Sequence, residues 1–211
     1  MLEIKNLSYR YKEQEILKNV SYIFETGKIY AIVGESGVGK STFLSLISGL
    51  EFLQQGEIYY KDKKITNYPE YRRSISYIFQ AFNLISYLSA VDNIKIALEI
   101  HRKKVSLPAI NYTIKELGIQ EKNTLKKCTE LSGGQQQRVA IARAIALCAN
   151  LVIADEPTGN LDKRNAKQVM SLFKKLSNEG KCIIVVTHDR TLAAEADVVL
   201  TLEDGALVAA T

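Results

Sequence analysis

Apolar positions recur along this chain with two different periods. In the first third they alternate. The segments LEIKNLSYRY (2–11) and NVSYIF (19–24) interleave β-branched, aromatic and polar residues, as half-buried strands do. Thr26-Gly27 marks a turn before KIYAIV (28–33), an apolar run of the length of a buried strand. FLSLISGL then takes helical spacing and stops at Gly49, EIYY with the KDKK turn predicts a peripheral hairpin, and SISYIF (74–79) predicts another buried strand.

From about Asn83 to Asn150 the period lengthens to that of helices separated by polar turns. VDNIKIALEI, with Asp92 near its start, and NYTIKELGI, ending near Gly118, are the clearest of these. QQQRVAIARAIALCA is apolar on nearly every side after Arg138, which predicts a buried helix. Strand patterns then return. LVIAD, apolar up to its terminal Asp155, and CIIVVT are runs joined by an amphipathic helix through KQVMSLFKKL, the pattern of a parallel sheet. VVLTL, the Asp204-Gly205 turn and ALVA close the chain as a hairpin. The expected architecture is α/β, with an α/β core from 1–82 and 151–211 and a helical segment, 83–150, inserted between its halves.

Composition narrows the class. At 211 residues, 46% apolar and 24% charged, the chain has room for one sizeable core. No stretch approaches the ~18 apolar residues of a membrane span, and MLEIKNLSYRYKEQE is charged from its third residue, unlike a secretory leader. The expected location is therefore the cytoplasm. A net charge of +5 would suit nucleic acid, but the lysines are dispersed, and Lys61, Lys63 and Lys64 read as a solvated hairpin. No nucleic-acid partner is expected. Cys128, Cys148 and Cys182 share no metal-ligand spacing and are expected as reduced, mostly buried thiols.

The chemistry gathers at a few short segments. GESGVGKST, from Gly34 through Glu35, Ser36, Gly37, Val38, Gly39, Lys40 and Ser41 to Thr42, fits the phosphate-binding loop G-x4-G-K-S. Its context fits as well, with an apolar strand before and a helix after. Backbone N–H groups of such a loop curl around a phosphate, and the helix N-terminus adds partial positive charge. Lys40 is placed to reach the β- and γ-phosphates and the Ser41 hydroxyl to ligate Mg²⁺.

LVIADE (151–156) ends an apolar strand on two carboxylates. By itself that is a strand running into a charged turn. Beside a phosphate loop, Asp155 reads as a Mg²⁺ holder and Glu156 as the general base for an attacking water. His188 follows CIIVV and should project into the same crevice, beyond the strands' carboxyl ends. His101, in EIHRKK, reads as a surface residue. Gln80 either caps a sheet edge or hydrogen-bonds the Mg²⁺ shell and the attacking water. Ser132, Gly133 and Gly134 of LSGGQQQR open a helix, where unpaired N–H groups favour an anion.

Taken in order, these segments resemble the ATP-binding subunit of the ATP-binding cassette (ABC) transporters over essentially the whole chain. The resemblance implies a P-loop NTPase (RecA-like) core with a mainly parallel sheet, an N-terminal antiparallel β subdomain and an inserted α-helical subdomain. GESGVGKS is then the Walker A loop, Gln80 the Q-loop, LSGGQ with Gln135 the signature, LVIADE Walker B, Asn160-Leu161-Asp162 the D-loop and His188 the switch histidine. Tyr11 falls where the family stacks an aromatic ring on adenine, with Tyr9 nearby as an alternative packing residue. IFQAFNL and DEPTGNLD resemble the branch of lipoprotein-releasing, macrolide-exporting and antimicrobial-peptide systems, together with the FtsE-like ATPases, which would regulate a membrane partner without transport. CANLVIADEP departs from the family by lacking the proline often found before Walker B.

The resemblance also implies Mg²⁺ and ATP as ligands, with Ser132, Gly133, Gly134, Gln135 and Asp162 contributing to nucleotide binding. It implies two partners: a second copy packed head to tail around two ATP molecules, and an integral membrane permease docked near Gln80 and the helical segment. The chain would then be peripheral on the inner face of the plasma membrane.

Overall fold

A computed structural model describes residues 1–209, so the last two positions of the 151–211 segment lie outside the described residues. In chain order the first elements are β1 (Leu2–Tyr11), β2 (Gln14–Phe24), β3 (Ile29–Val33), α1 (Lys40–Ile47), β4 (Gln55–Tyr60), β5 (Lys63–Lys64), α2 (Tyr68–Ser74) and β6 (Ser76–Ile78). Helices follow: α3 (Ala90–Ile100), α4 (Leu107–Glu116), α5 (Glu121–Thr124), a 3₁₀ turn at Cys128–Glu130, and α6 (Gly133–Ala146). The chain then runs through β7 (Leu151–Asp155), α7 (Lys163–Asn178), β8 (Cys182–Val186), α8 (Arg190–Ala193), β9 (Val198–Glu203) and β10 (Ala206–Ala209).

Two sheets result. The antiparallel one has the order β2-β1-β4-β5, and the larger one β10-β9-β3-β8-β7-β6. In the larger sheet every neighbouring pair is parallel except the closing β9–β10 hairpin. β7 and β8 are buried at all five positions each, which explains why β8 is apolar throughout and β7 apolar up to Asp155. Their pleat sends alternate residues to opposite faces. Leu151, Ile153, Cys182, Ile184 and Val186 enter a core shared with β1, β2 and Phe43 and Leu44 of α1. Val152, Ala154, Ile183 and Val185 enter a second core with residues of α3, α4, α6 and α7. In α7 the buried Ala166, Val169, Met170, Phe173 and Leu176 follow the three- and four-residue steps of an amphipathic helix.

The structure adds an element that hydrophobic periodicity did not show. Before β6 the chain makes the helix α2, capped by Asn67, whose side chain accepts from the Glu70 N–H at 3.2 Å. Its one buried residue, Tyr71, donates to the Ile47 carbonyl at 2.7 Å and ties the helix to the end of α1. Because α2 claims Ser74, the strand expected over 74–79 contracts to Ser76–Ile78. His101, expected on the surface, is half-buried, with Nδ1 3.1 Å from the Arg73 carbonyl. Cys128 and Cys182 are buried as expected, whereas Cys148 is exposed, just past α6 at φ 50°. The lysine-rich hairpin is solvated, and Lys64 pairs with Glu57. Among the described residues no helix is long and apolar enough to cross a membrane.

Candidate functional site

Four neighbouring parallel strands deliver the chemistry to one edge. Just beyond their carboxyl ends stand Gly34 after β3, His188 after β8, Glu156 after β7 and Gln80 after β6. The ladder continues past the strands: Thr187 N–H donates to the Ile32 carbonyl at 3.2 Å, and Glu156 N–H to the Val186 carbonyl at 3.0 Å. These bonds hold the loops level with one another, at the edge where open parallel sheets bind ligands.

Gly39 precedes α1 in a left-handed conformation (φ 107°), and a Cβ there would lie 2.5 Å from Ile16 Cγ2. A Cβ on Gly34 would lie 2.5 Å from the Leu202 carbonyl oxygen. Both positions require glycine, so the loop is seated tightly between β2 and β9. α1 has no side-chain cap and no acidic residue in its first turn, which leaves its leading N–H groups for an anion. Lys40 Nζ donates to the carbonyls of Gly34 and Glu35, each at 2.8 Å, and so arches over the loop.

Ser36, Gly37, Gly39, Lys40, Ser41 and Thr42 line a cavity of about 250 Å³ together with Gln80, Asp155 and Glu156. Three segments far apart in sequence therefore meet around one phosphate-sized space. Gly34, Glu35, Val38 and His188 instead line a neighbouring cleft of about 970 Å³. Tyr11 stands 64% exposed at the tip of the β1–β2 hairpin and lines neither space. Ile16, five residues on, touches the loop at Gly39, so that tip lies close to the loop's flank.

Asp155 is 7% exposed, and its Oδ1 has no hydrogen-bond partner among the described residues. Burial pushes its carboxyl above the ordinary range; a hydrogen bond from Ser41 opposes this, the Glu156 charge reinforces it and the Lys40 charge opposes it. An orphaned, buried carboxylate oxygen beside a serine hydroxyl is a hard-oxygen donor set of the kind Mg²⁺ takes. No cluster of three or more His, Cys, Asp or Glu among the described residues would hold a metal alone, so phosphate oxygens of the nucleotide would have to complete the shell.

Glu156 adopts φ 47°, an uncommon conformation for a non-glycine residue and a form of strain that concentrates at functional sites. Its Oε2 is buried and lacks a hydrogen bond, although His188 Nδ1 lies 3.0 Å away. The two are close but out of line for a hydrogen bond. The backbone around His188 is held by residues that sequence reasoning passed over. Asp189 N–H donates to Thr187 Oγ1 at 3.1 Å, and Asp189 Oδ1 accepts from Thr191 N–H at 2.8 Å to cap α8. The signal was present, because Asp is a preferred residue immediately before a helical turn.

The signature segment stands apart from this cavity. Ser132 caps α6 in a reciprocal box: its Oγ accepts from Gln135 N–H at 3.3 Å, and Gln135 Oε1 accepts from Ser132 N–H at 2.9 Å. Gly133 has open space where a Cβ would stand, whereas a Cβ on Gly134 would be 3.2 Å from the Asn160 carbonyl and 3.6 Å from Leu161 Cδ2. Residues 132–135 line neither space beside the phosphate loop. Asp162 caps α7, accepting from Asn165 N–H at 2.9 Å. Those Asn165 bonds, with the nearby Arg138 charge, hold its carboxyl below the ordinary range.

This geometry has counterparts in known proteins. A family model described as ABC transporter matches residues 17–159. The chain belongs to the ABC transporter family. It is 40% identical to the uncharacterized ABC transporter ATP-binding protein YclH of Bacillus subtilis, over 97% of this chain and 94% of YclH. It is 38% identical to the macrolide export ATP-binding/permease protein MacB of Campylobacter jejuni, over 100% of this chain but 34% of MacB. The ABC cassette MJ0796 of Methanocaldococcus jannaschii, solved as a dimer, superposes with a TM-score of 0.91 at 36% identity, covering 98% of this chain and 96% of that one. A second MJ0796 structure, titled as a post-hydrolysis dimer bound to ADP and Pi, gives 0.90. The expected fold is therefore the observed one. This ABC cassette is an ATPase.

Proposed function

We propose that this ABC ATPase closes as a homodimer around two Mg-ATP and so drives an integral membrane permease of the exporting branch. The observation that carries this reading is the separation of the two anion-binding loops. Ser132–Gln135 present a capped helix N-terminus with open space at Gly133, yet they line no part of the nucleotide cavity of their own chain. A second copy packed head to tail gives that surface a phosphate to bind, as the dimeric MJ0796 cassette supports.

Each residue then has a task. The N–H groups from Ser36 to Thr42 wrap the phosphates, and Lys40 exchanges its two loop carbonyls for β- and γ-phosphate oxygens. Ser41 and Asp155, with Gln80 alongside, would hold Mg²⁺, whose charge supplies electrostatic stabilisation of the phosphate oxygens. Glu156 takes a proton from water as the water oxygen bonds to the γ-phosphorus. The bond to the bridging oxygen breaks, leaving ADP and phosphate. His188 sits beside Glu156 and contacts the γ-phosphate. Tyr11 stacks on the base from the hairpin tip, and Asp162 acts by fixing the turn that leads into α7.

The helical segment 83–150 serves as the unit that senses nucleotide through Gln80 and passes closure to the permease. A cleft of about 280 Å³, walled by Leu50, Tyr77, Phe79, Ala97 and Ile100 next to Gln80, supports docking there. The chain spans 34% of MacB, in which cassette and permease are joined by name. Handling of macrolides, lipoproteins or antimicrobial peptides would be decided by the membrane partner. Through it the cassette would sit on the inner face of the plasma membrane.

The test is Ser132→Arg beside Glu156→Gln, read by sedimentation with and without ATP. Glu156→Gln should accumulate as an ATP-dependent dimer, and adding Ser132→Arg should abolish the dimer while monomers still bind ATP. If Ser132→Arg instead costs the monomer its ATP affinity, the signature acts within its own chain and the dimer reading fails.

A further inference from the structure

The cleft of about 970 Å³ beside the phosphate loop shares no lining residue with the nucleotide cavity, and its outer residues Arg190, Glu203 and Asp204 are left without a task. Glu35 and Val38 form one wall, Arg190 another, and Glu203 and Asp204 the rim. Glu35, Glu203 and Asp204 are all exposed, and none makes an ion pair among the described residues. Three carboxylates against one arginine leave the cleft acidic. Its shape is also fixed. The β9–β10 turn is pinned by Lys18 N–H donating to the Gly205 carbonyl at 2.9 Å, and Gly34 packs on the Leu202 carbonyl.

A matching charge sits elsewhere on the same chain. α7 opens with Lys163 and Arg164, both exposed and unpaired among the described residues, and has no acidic residue in its first turn. Beyond the capping Asp162, these two cations stand at the positive end of the helix dipole. They directly follow Asp162, which caps the helix, and lie just beyond Asn160 and Leu161, which pack on Gly134 of the signature helix.

We propose that this acidic cleft receives the Lys163–Arg164 turn of a second copy of the chain. The inference rests on the head-to-tail dimer proposed above. When the signature of one copy meets the phosphate loop of the other, the turn attached to that signature arrives at the loop's flank, where the cleft opens. The carboxylates of the receiving copy pair with these cations, and ionic docking adds to closure in a salt-dependent way.

The experiment measures the ATP-dependent dimer dissociation constant in a Glu156→Gln reference by sedimentation. The variants are Lys163→Glu with Arg164→Glu, Glu203→Lys with Asp204→Lys, and all four together. Each paired reversal should weaken the dimer by about tenfold or more at low salt, and the fourfold exchange should restore it to within about threefold. The differences should shrink near 1 M salt, where the screening length is about 3 Å. A dimer indifferent to either reversal, or a fourfold variant as weak as its parents, overturns this proposal alone. A reference that forms no ATP-dependent dimer overturns the dimer reading and this proposal with it.

Discussion

His188 Nδ1 stands 3.0 Å from Glu156 Oε2 with no hydrogen bond between them, the histidine side chain 74% exposed and the carboxylate 13%. The carboxylate is thus held by its own strained backbone (φ 47°) and keeps an acceptor free, while the imidazole stands open to solvent. Glu156→Gln should lower ATP turnover by about 10²–10⁴-fold, the usual worth of a general base, without loss of ATP binding. His188→Ala should also slow turnover, and the double variant should lose far less than the product of the two, because the residues act on one phosphate. Phosphate release and equilibrium nucleotide binding check both. Near-normal turnover in Glu156→Gln would remove it from the role of base.

Gly133 and Gly134 adjoin in sequence but face different neighbours, and substitution should separate them. A Cβ at Gly133 meets nothing within 4 Å, whereas one at Gly134 meets the Asn160 carbonyl at 3.2 Å. Gly133→Ala should leave the lone chain as stable as before, or more so by up to about 1 kcal/mol as helix propensity improves. It should nevertheless impair ATP-driven dimer formation, because in the proposed dimer that open space faces the partner's phosphate. Gly134→Ala should destabilise the monomer by displacing the turn before α7. Urea denaturation and sedimentation read the two effects; unimpaired dimerisation of Gly133→Ala would show that this space is not an interface.

The phosphate loop offers the same kind of contrast within one chain. Gly37 has φ 82° and no neighbour within 4 Å of a Cβ, so Gly37→Ala should cost only the left-handed conformation, about 1–2 kcal/mol. Gly34→Ala drives a Cβ to 2.5 Å from the backbone oxygen of Leu202, which cannot rotate away, and should cost about 3 kcal/mol. Equal urea midpoints for the two variants would contradict the close packing of β9 on the loop.

Much of this site was legible in the sequence because its residues sit at the ends of strands that advertise themselves. β7 and β8 are fully buried, so their apolar runs break only at the strand ends: at Asp155, the last residue of β7, with Glu156 after it, and at Thr187 and His188 just past β8. The phosphate loop was legible because its glycines answer to local geometry. What stayed hidden depends on pairing across long sequence distances. α2 owes its place to Tyr71 reaching the end of α1, and its seven residues give periodicity little to work with. No spacing rule told Ser36 and Gly37, which face the cavity, from Glu35 and Val38, which face the cleft. Asp162, expected among the nucleotide ligands, also caps α7, a role that its spacing from Asn165 did not announce.

Asp155 carries the clearest pH signature. Burial raises its carboxyl above the ordinary value of 3.8, so the folded chain binds that proton more tightly than the unfolded chain does. The sign follows from linkage. At a pH above the raised value, ionised Asp155 destabilises the nucleotide-free fold. As pH falls through the raised value and past 3.8, the penalty disappears. Asp155→Asn removes the charge while keeping the shape. Without nucleotide and near neutral pH it should therefore melt higher than the parent, by about 2–4 °C for an effect of about 1 kcal/mol at this chain length. The gain should vanish as the medium approaches pH 3.8. With Mg-ATP the order should reverse, because only the carboxylate gains by binding the ion and ligand stabilisation scales with affinity. Thermal melts across pH, with and without Mg-ATP, measure all three. A nucleotide-free Asp155→Asn that melts lower than its parent at neutral pH would mean that the buried carboxylate is compensated within the fold, and does not await a cation.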